Sequence, residues 1–172
     1  GWACWKTYLG RPETDRFRIS AMGLLGSGLS AAKRHVDALS VKKAEYALLK
    51  RLGGSERDIL RAQGNVVNTY EHLGRLEQAV PMRQEIYSGR LKLNGATHVE
   101  TLRAANNYAS SLRDLSCFEE ARSLLRRTVP VARRVLGDGH ILTLKMRLVY
   151  AKALCFDDAA TLDDLREAVT TL

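Results

Sequence analysis

Proline is scarce: three residues in 172, so almost nothing interrupts a long helix. Cysteine is equally scarce. Cys4, Cys117 and Cys155 are far apart and form no CxxC or Cys/His cluster, which excludes a disulfide framework and a zinc site. Reduced thiols fit a reducing, cytoplasmic compartment. Aromatics make up only 6% and do not interleave with basic residues, so stacking on single-stranded nucleic acid has little to work with. No apolar run is long enough to cross a bilayer, and no signal peptide is visible. The chain opens on Gly1 and stops within a helical pattern, so we expect its ends to be processing boundaries or points where a longer chain was cut.

What is present favours helix. Ala, Leu and Arg are abundant, and 45% hydrophobic residues suffice for a core. The net charge of +8 points toward acidic partners.

The chain also repeats. Residues 60–101 align without a gap on residues 102–143, with about ten identities. These include Leu60/Leu102, Arg61/Arg103, Asn65/Asn107, Glu77/Glu119, Gly95/Gly137 and His98/His140. Gly10, Gly53, Gly95 and Gly137 extend the frame at spacings of 43, 42 and 42. Each period reads as two helices, A and B. Helix A is expected over 58–72 and 99–114, and helix B over 76–93 and 118–136. Thr97 or Thr101 is expected to cap the second helix A. Gly95 and Gly137 should adopt a left-handed conformation at the end of helix B. Pro81 is placed in a first turn, and Pro130 should bend its helix. The opening segment reads as the end of an earlier helix B, with Trp2, Trp5 and Leu9 on one face and Gly10 closing it. The resulting organisation is a single array over 1–172. It comprises a partial helix at 1–10, units at 11–53, 54–95 and 96–137, and a truncated unit at 138–172.

A 42-residue unit carrying "NNYA", "FEEA" and "VLGDGH" resembles the tetratricopeptide repeat, in the longer form found in kinesin light chains. Asn107, Ala109, Glu119–Ala121, Leu136, Gly137 and His140 stand where that pattern wants them. Some segments are also similar to algal tetratricopeptide proteins. Val67 and Val149 depart from the pattern, as does Asn94 before Gly95. The resemblance implies an all-α, right-handed helical-repeat solenoid of about four helix–turn–helix units. It also implies a concave groove that binds a peptide or protein segment.

Several residues are candidate sites. Asn65 and Asn107 read equally well as groove residues bonding an extended ligand or as helix-to-loop ties within a repeat. Asn68, Asn106 and Ser110 are assigned to the groove. His98 and His140 are repeat copies that should hydrogen-bond the start of the next helix rather than share a metal. His35 and His72 have no partners at ligand spacing. Asp157, Asp158, Asp163 and Asp164 lack calcium-loop spacing and read as a lengthened turn with acids at a helix start. Gly23–Ser30, "GLLGSGLS", has no Walker lysine and falls inside helix A, where small residues permit close packing. Cys117 and Cys155 are expected to fill small core or inter-helix positions.

Arg18, Arg61, Arg103 and Lys145 each follow the first apolar residue of a helix A. A cation there opposes the helix dipole, at a cost of a few tenths of a kcal/mol. Resemblance to other tetratricopeptide arrays places the position on the concave face, giving a basic ladder for an acidic ligand; the bland alternative is a solvated helix edge.

The expected function is therefore non-enzymatic: a scaffold or interaction module binding a protein or peptide, acidic in character. No metal, cofactor or small-molecule substrate is expected. A structural subunit docked in a larger assembly is one alternative. A nucleic-acid-binding repeat, motivated only by the charge, is a weaker one.

Overall fold

The computed structural model describes residues 2–157 and 160–171, without the side chains of Trp2 and Cys4. All regular structure among these residues is helical: α1 (Trp2–Tyr8), α2 (Arg16–Ala31), α3 (His35–Arg51), α4 (Glu56–His72), α5 (Leu76–Asn94), α6 (Val99–Asp114), α7 (Phe118–Leu136), α8 (Ile141–Cys155) and α9 (Leu162–Thr171). Helices α2, α4, α6 and α8 are the A helices; α3, α5, α7 and α9 are the B helices. The expected bounds hold to within two residues for α4 to α7. The fold is an all-α helical-repeat array; α1 to α4 pack in sequence in one part of the chain and α6 to α9 in another.

The chain divides into two compact units, residues 1–82 and 83–172, with the boundary inside α5. In the first unit, α3 packs against both α2 and α4. Its core is Ala21 and Leu25 of α2, Ala38, Leu39, Leu48 and Leu49 of α3, and Leu60, Ala62, Val66, Val67 and Tyr70 of α4. In the second unit, α6, α7, α8 and α9 close over Leu102, Ala105, Ala109, Leu125, Val129, Ala132, Met146, Tyr150, Leu154 and Ala168. Apolar positions three and four apart place each stripe on one face, and alanines at the seams let helix axes approach closely.

Two kinds of turn recur. The B-to-A turns use Gly53, Gly95 and Gly137, at φ 63°, 80° and 92°. Gly95 has the positive φ expected of it and Gly53 matches it; Gly137 instead combines its φ with ψ 158°, an extended conformation open essentially to glycine. The A-to-B turns need a positive φ two residues past the last residue of the A helix. Gly74 supplies it at φ 69°, but its counterparts are Lys33 (58°) and Ser116 (60°). The tertiary frame thus forces two L-residues into a region that costs about 1–2 kcal/mol each.

Several local expectations need correction. His98, rather than Thr97 or Thr101, caps α6: its Nδ1 accepts from the Glu100 N–H at 3.1 Å. His140 does the same for α8, accepting from the Leu142 N–H at 3.1 Å. Thr101 is buried instead, its hydroxyl donating to the Arg90 carbonyl at 3.1 Å. Pro81 is the sixth residue of α5, in its second turn rather than its first. Leu9 lies beyond α1 and is exposed, so it does not share a helical face with Trp5; the Trp2 side chain lies outside the described residues. Cys155 is exposed rather than a core filler, and Cys117 is half-buried at the start of α7.

Ser116→Gly is expected to stabilise the fold by about 1 kcal/mol, raising Tm by about 2–4 °C, whereas Ser116→Val lowers it. Thermal unfolding of both variants checks this, and equal melting of the three proteins would refute the forced turn.

Candidate functional site

In the first unit the glycines of α2 have a specific purpose. A Cβ on Gly26 would lie 2.9 Å from Lys42 Cγ, and one on Gly23 would lie 3.0 Å from Glu45 Oε1. The bare helix thereby admits two charged side chains of α3 into the interior: Lys42 is 6% exposed and Glu45 1%. Lys42 Nζ donates to Ser30 Oγ at 2.6 Å and to Thr69 Oγ1 at 2.9 Å. Glu45 is less well served. Neither carboxylate oxygen accepts a hydrogen bond, and Arg61 Nη1 approaches Oε1 only to 3.7 Å. Burial pushes the Glu45 carboxyl up and the Lys42 ammonium down from their ordinary values; Arg61 and Lys42 partly counter the first shift, and Glu45 the second.

Sequence reasoning missed this pair. A signal was present, because Glu45 stands in the repeat column that holds Tyr87 and Val129. A charge in an apolar column, opposite a glycine, marks the exchange of volume across the interface.

Arg61 links the pair to the surface. It is half exposed, and it meets Asp58 and Glu45 at 3.7 Å each, longer than a hydrogen bond. It lines an open cleft of 440 Å³ with Arg16, Ser20, Ser55 and Asp58, over a floor of Ile19, Leu49 and Leu52. Arg18 is half-buried. Its Nη1 donates to the Arg11 carbonyl at 2.5 Å, and its guanidinium lies 5.9 Å from the Trp5 ring. On α4, Asn68 is exposed and Asn65 half-buried, the Asn65 carbonyl accepting from Thr69 Oγ1 at 2.9 Å. His35 and His72, which lacked sequence partners, stack with ring centroids 5.0 Å apart.

In the second unit α6 and α8 pack side by side and carry Arg103 and Lys145 at equivalent positions. Arg103 is exposed and pairs with Glu100 at 3.2 Å. Lys145 is exposed, with no ion pair among the described residues. An acid stands three residues before Arg18, Arg61 and Arg103 (Asp15, Asp58 and Glu100), and Leu142 replaces it before Lys145. These acids offset the dipole cost locally, which the sequence argument overlooked. Asn106 is buried, donating weakly to Asn107 Oδ1 at 3.5 Å, while its own Oδ1 has no partner. Asn107 and Ser110 are half-buried, and the Asn107 carbonyl accepts from Ser111 Oγ at 3.0 Å.

The acidic segment is a helix start. Thr161 and Asp164 form a reciprocal cap on α9: the Thr161 N–H donates to Asp164 Oδ2 at 2.9 Å, and the Asp164 N–H donates to Thr161 Oγ1 at 3.2 Å. Arg122 bridges Asp157 at 2.9 Å and Asp164 at 3.4 Å; Asp158 lies outside the described residues. A second cleft, of 340 Å³, is rimmed by Arg126, Arg133 and Arg147, but each is already engaged. Arg126 donates to the Tyr150 hydroxyl at 3.2 Å, Arg133 pairs with Asp138 at 2.5 Å, and Arg147 donates to the Thr171 carbonyl at 2.5 Å.

Residues 101–142 match the tetratricopeptide-repeat family model, almost the same span as the second aligned period. The chain is also similar to the nearly identical tetratricopeptide-like repeats of a Podosopora anserina protein assigned as a kinesin light chain. The TM-score is 0.81 and the identity 19%, over 98% of this chain and 79% of that one. A variant form of the same protein gives the same TM-score and identity, covering 98% and 78%. BtubC (BKLC) from P. vanneervenii is similar at TM-score 0.64 and 12% identity, over 99% and 76%. The fold is that of a kinesin-light-chain-like tetratricopeptide array. No curated protein sequence matches the chain. Tetratricopeptide folds are generally protein-interaction modules, and no described helix is long and apolar enough to cross a membrane.

Because burial disfavours the charged form of Glu45, its raised pKa confers stability that is present below the unfolded value, near 4.5, and lost as pH rises through the folded one. Glu45→Gln is therefore expected to be more stable than the parent at pH 7, and the gain should vanish as pH falls toward 4.5. Lys42→Met takes away one of the cations that counter the burial of Glu45, so it should raise the Glu45 carboxyl further and widen the Glu45→Gln gain at pH 7. Urea unfolding across pH checks both. A Glu45→Gln effect that grows on acidification would contradict the burial argument.

Proposed function

We propose that the chain is a non-enzymatic scaffold that takes an acidic peptide or protein segment, using the cations of its A helices. The observation that carries this reading is the state of Arg61. Its guanidinium sits half exposed at the rim of the first unit's cleft, beside Arg16, holding two carboxylates at 3.7 Å without hydrogen-bonding either. A carboxylate or phosphate from a ligand could offer the bidentate geometry that Asp58 and Glu45 do not. Arg103 and Lys145 repeat the position on neighbouring helices of the second unit. Within the first unit the exposed Asn68 of α4, and within the second Asn107 and Ser110 of α6, are the groups proposed to bond a ligand backbone. Arg18, tied to Arg11 and facing Trp5, contributes charge more than contact.

Charge reversal tests the proposal. Arg61→Glu, Arg103→Glu and Lys145→Glu combined should weaken binding of a short Glu-rich peptide at least about tenfold near 50 mM salt, with a shallower salt dependence than the parent. Fluorescence anisotropy reads both. Unchanged binding at low salt would refute it, and tighter binding of random RNA than of the peptide would favour a nucleic-acid ligand instead.

A further inference from the structure

We infer that the B-to-A edge of the second unit, where α5 and α7 end, docks on the anionic surface of a lipid bilayer. The inference comes from comparing the last turns of the two B helices. That of α5 carries Leu91, Lys92 and Leu93, and that of α7 carries Arg133, Arg134 and Val135. The pair Lys92–Leu93 returns 42 residues on as Arg134–Val135, a cation followed by an apolar residue. Both apolar members are exposed, Leu93 at 41% and Val135 at 43%, and Ile141, which opens α8, is exposed at 63%.

The two ends share one edge. Short links, residues 95–98 and 137–140, join them to α6 and α8, and those two helices pack side by side. A missing neighbour does not cause the exposure, because α6 follows α5, and α8 and α9 follow α7. The seams themselves are filled: Ile86 of α5 and Thr128 and Ala132 of α7 are buried. Leu93 and Val135 stand seven residues beyond Ile86 and Thr128, on the same helical stripe but past the end of the packed seam. The stripe has no packing left to do there, yet it stays apolar.

The helix dipole accounts for the cations, since positive charge suits the last turn of a helix. It gives no reason for apolar neighbours standing in water. Both are favourable together at the boundary of an anionic bilayer, where cations meet lipid phosphates and apolar side chains enter the acyl region. Charge on this edge is free to act. Lys92 and Arg134 are exposed and have no ion pair among the described residues. The acids beside them, Glu100 and Asp138, are held by Arg103 and Arg133. The net charge of +8 draws the whole chain toward an anionic surface. Shape favours lipid over a protein. None of Lys92, Leu93, Arg134 and Val135 lines either cleft described in the second unit, so a partner's side chain has no pocket to fill there. The apolar residues alternate with cations instead of forming one unbroken patch, and a fluid surface needs no matching shape.

The test uses the whole chain and co-sedimentation with vesicles of phosphatidylcholine holding about 30% phosphatidylserine, near 150 mM salt. The parent should partition onto these at least about tenfold more strongly than onto pure phosphatidylcholine. Lys92→Gln with Arg134→Gln should weaken that partition about tenfold or more, and Leu93→Ser with Val135→Ser about fivefold or more. The charge variant alters only exposed side chains and should keep the parent's Tm, which leaves the test readable should the apolar variant melt early. Three outcomes would overturn the inference: no preference for the anionic vesicles, unchanged partition of the charge variant, or unchanged partition of a folded apolar variant. Binding of random RNA that the charge variant loses and the apolar variant keeps, with no binding to vesicles, would assign the edge to nucleic acid instead. These variants leave Arg61, Arg103 and Lys145 in place, so the edge and the A-helix cations stand or fail separately.

Discussion

Everything in this molecule depends on one constraint: a two-helix hairpin cannot bury its own apolar face. Each pair needs the next, so stability resides in the seams between helices rather than in any single element. The alanines show how the seams are made. Ala62, Ala79, Ala105, Ala109, Ala121, Ala132 and Ala153 are buried, most of them completely. They let helix axes approach closely, while Leu102, Leu125, Met146 and Leu154 fill the hollows between them. Once the seams set the helix positions, the turns must close whatever gap remains. That is why Lys33 and Ser116 accept a left-handed conformation that their own chemistry disfavours. Local preference yields here to a geometry fixed over several helices.

The same ordering explains what could be read in advance. Features that each repeat carries in itself were legible. The helix bounds, the glycines after each B helix and the role of the His98/His140 column all follow from comparing one period with the next. The fold class followed from them. Features that depend on two helices meeting were not legible in this way. Thr101 looked like a cap because only its own helix was considered; the Arg90 carbonyl, supplied by α5, explains its burial. Lys42 and Glu45 drew no reading at all, because the glycines that admit them lie about 20 residues earlier, on α2.

The cationic series was legible as a position, but its meaning was not. Spacing alone found Arg18, Arg61, Arg103 and Lys145, and the dipole argument marked them as unexplained. The structure separates the four. Arg18 is turned into a contact with the chain before it, Arg61 hangs between a buried and an exposed carboxylate, Arg103 pairs within its own turn, and Lys145 has lost its acid. One column of a repeat can thus hold four electrostatic environments, because the neighbours of each residue come from outside the column.

Exposed cations and exposed apolar side chains act on a ligand in different ways. The attraction of exposed cations for an acidic ligand fades within a Debye length, about 8 Å at physiological salt. Half-exposed ion pairs add little to affinity beyond faster encounter and a choice of charge. Apolar side chains behave in the opposite way: they exert no pull at a distance, yet each leucine removed from water contributes about 1.5–3 kcal/mol when fully covered. In the second unit the two kinds of group meet on α8, where Lys145 lies one residue from Leu144 and three from Leu148. The division follows from the repeat itself. The column that carries charge on every A helix lies beside the column that is covered on α6 and uncovered on α8.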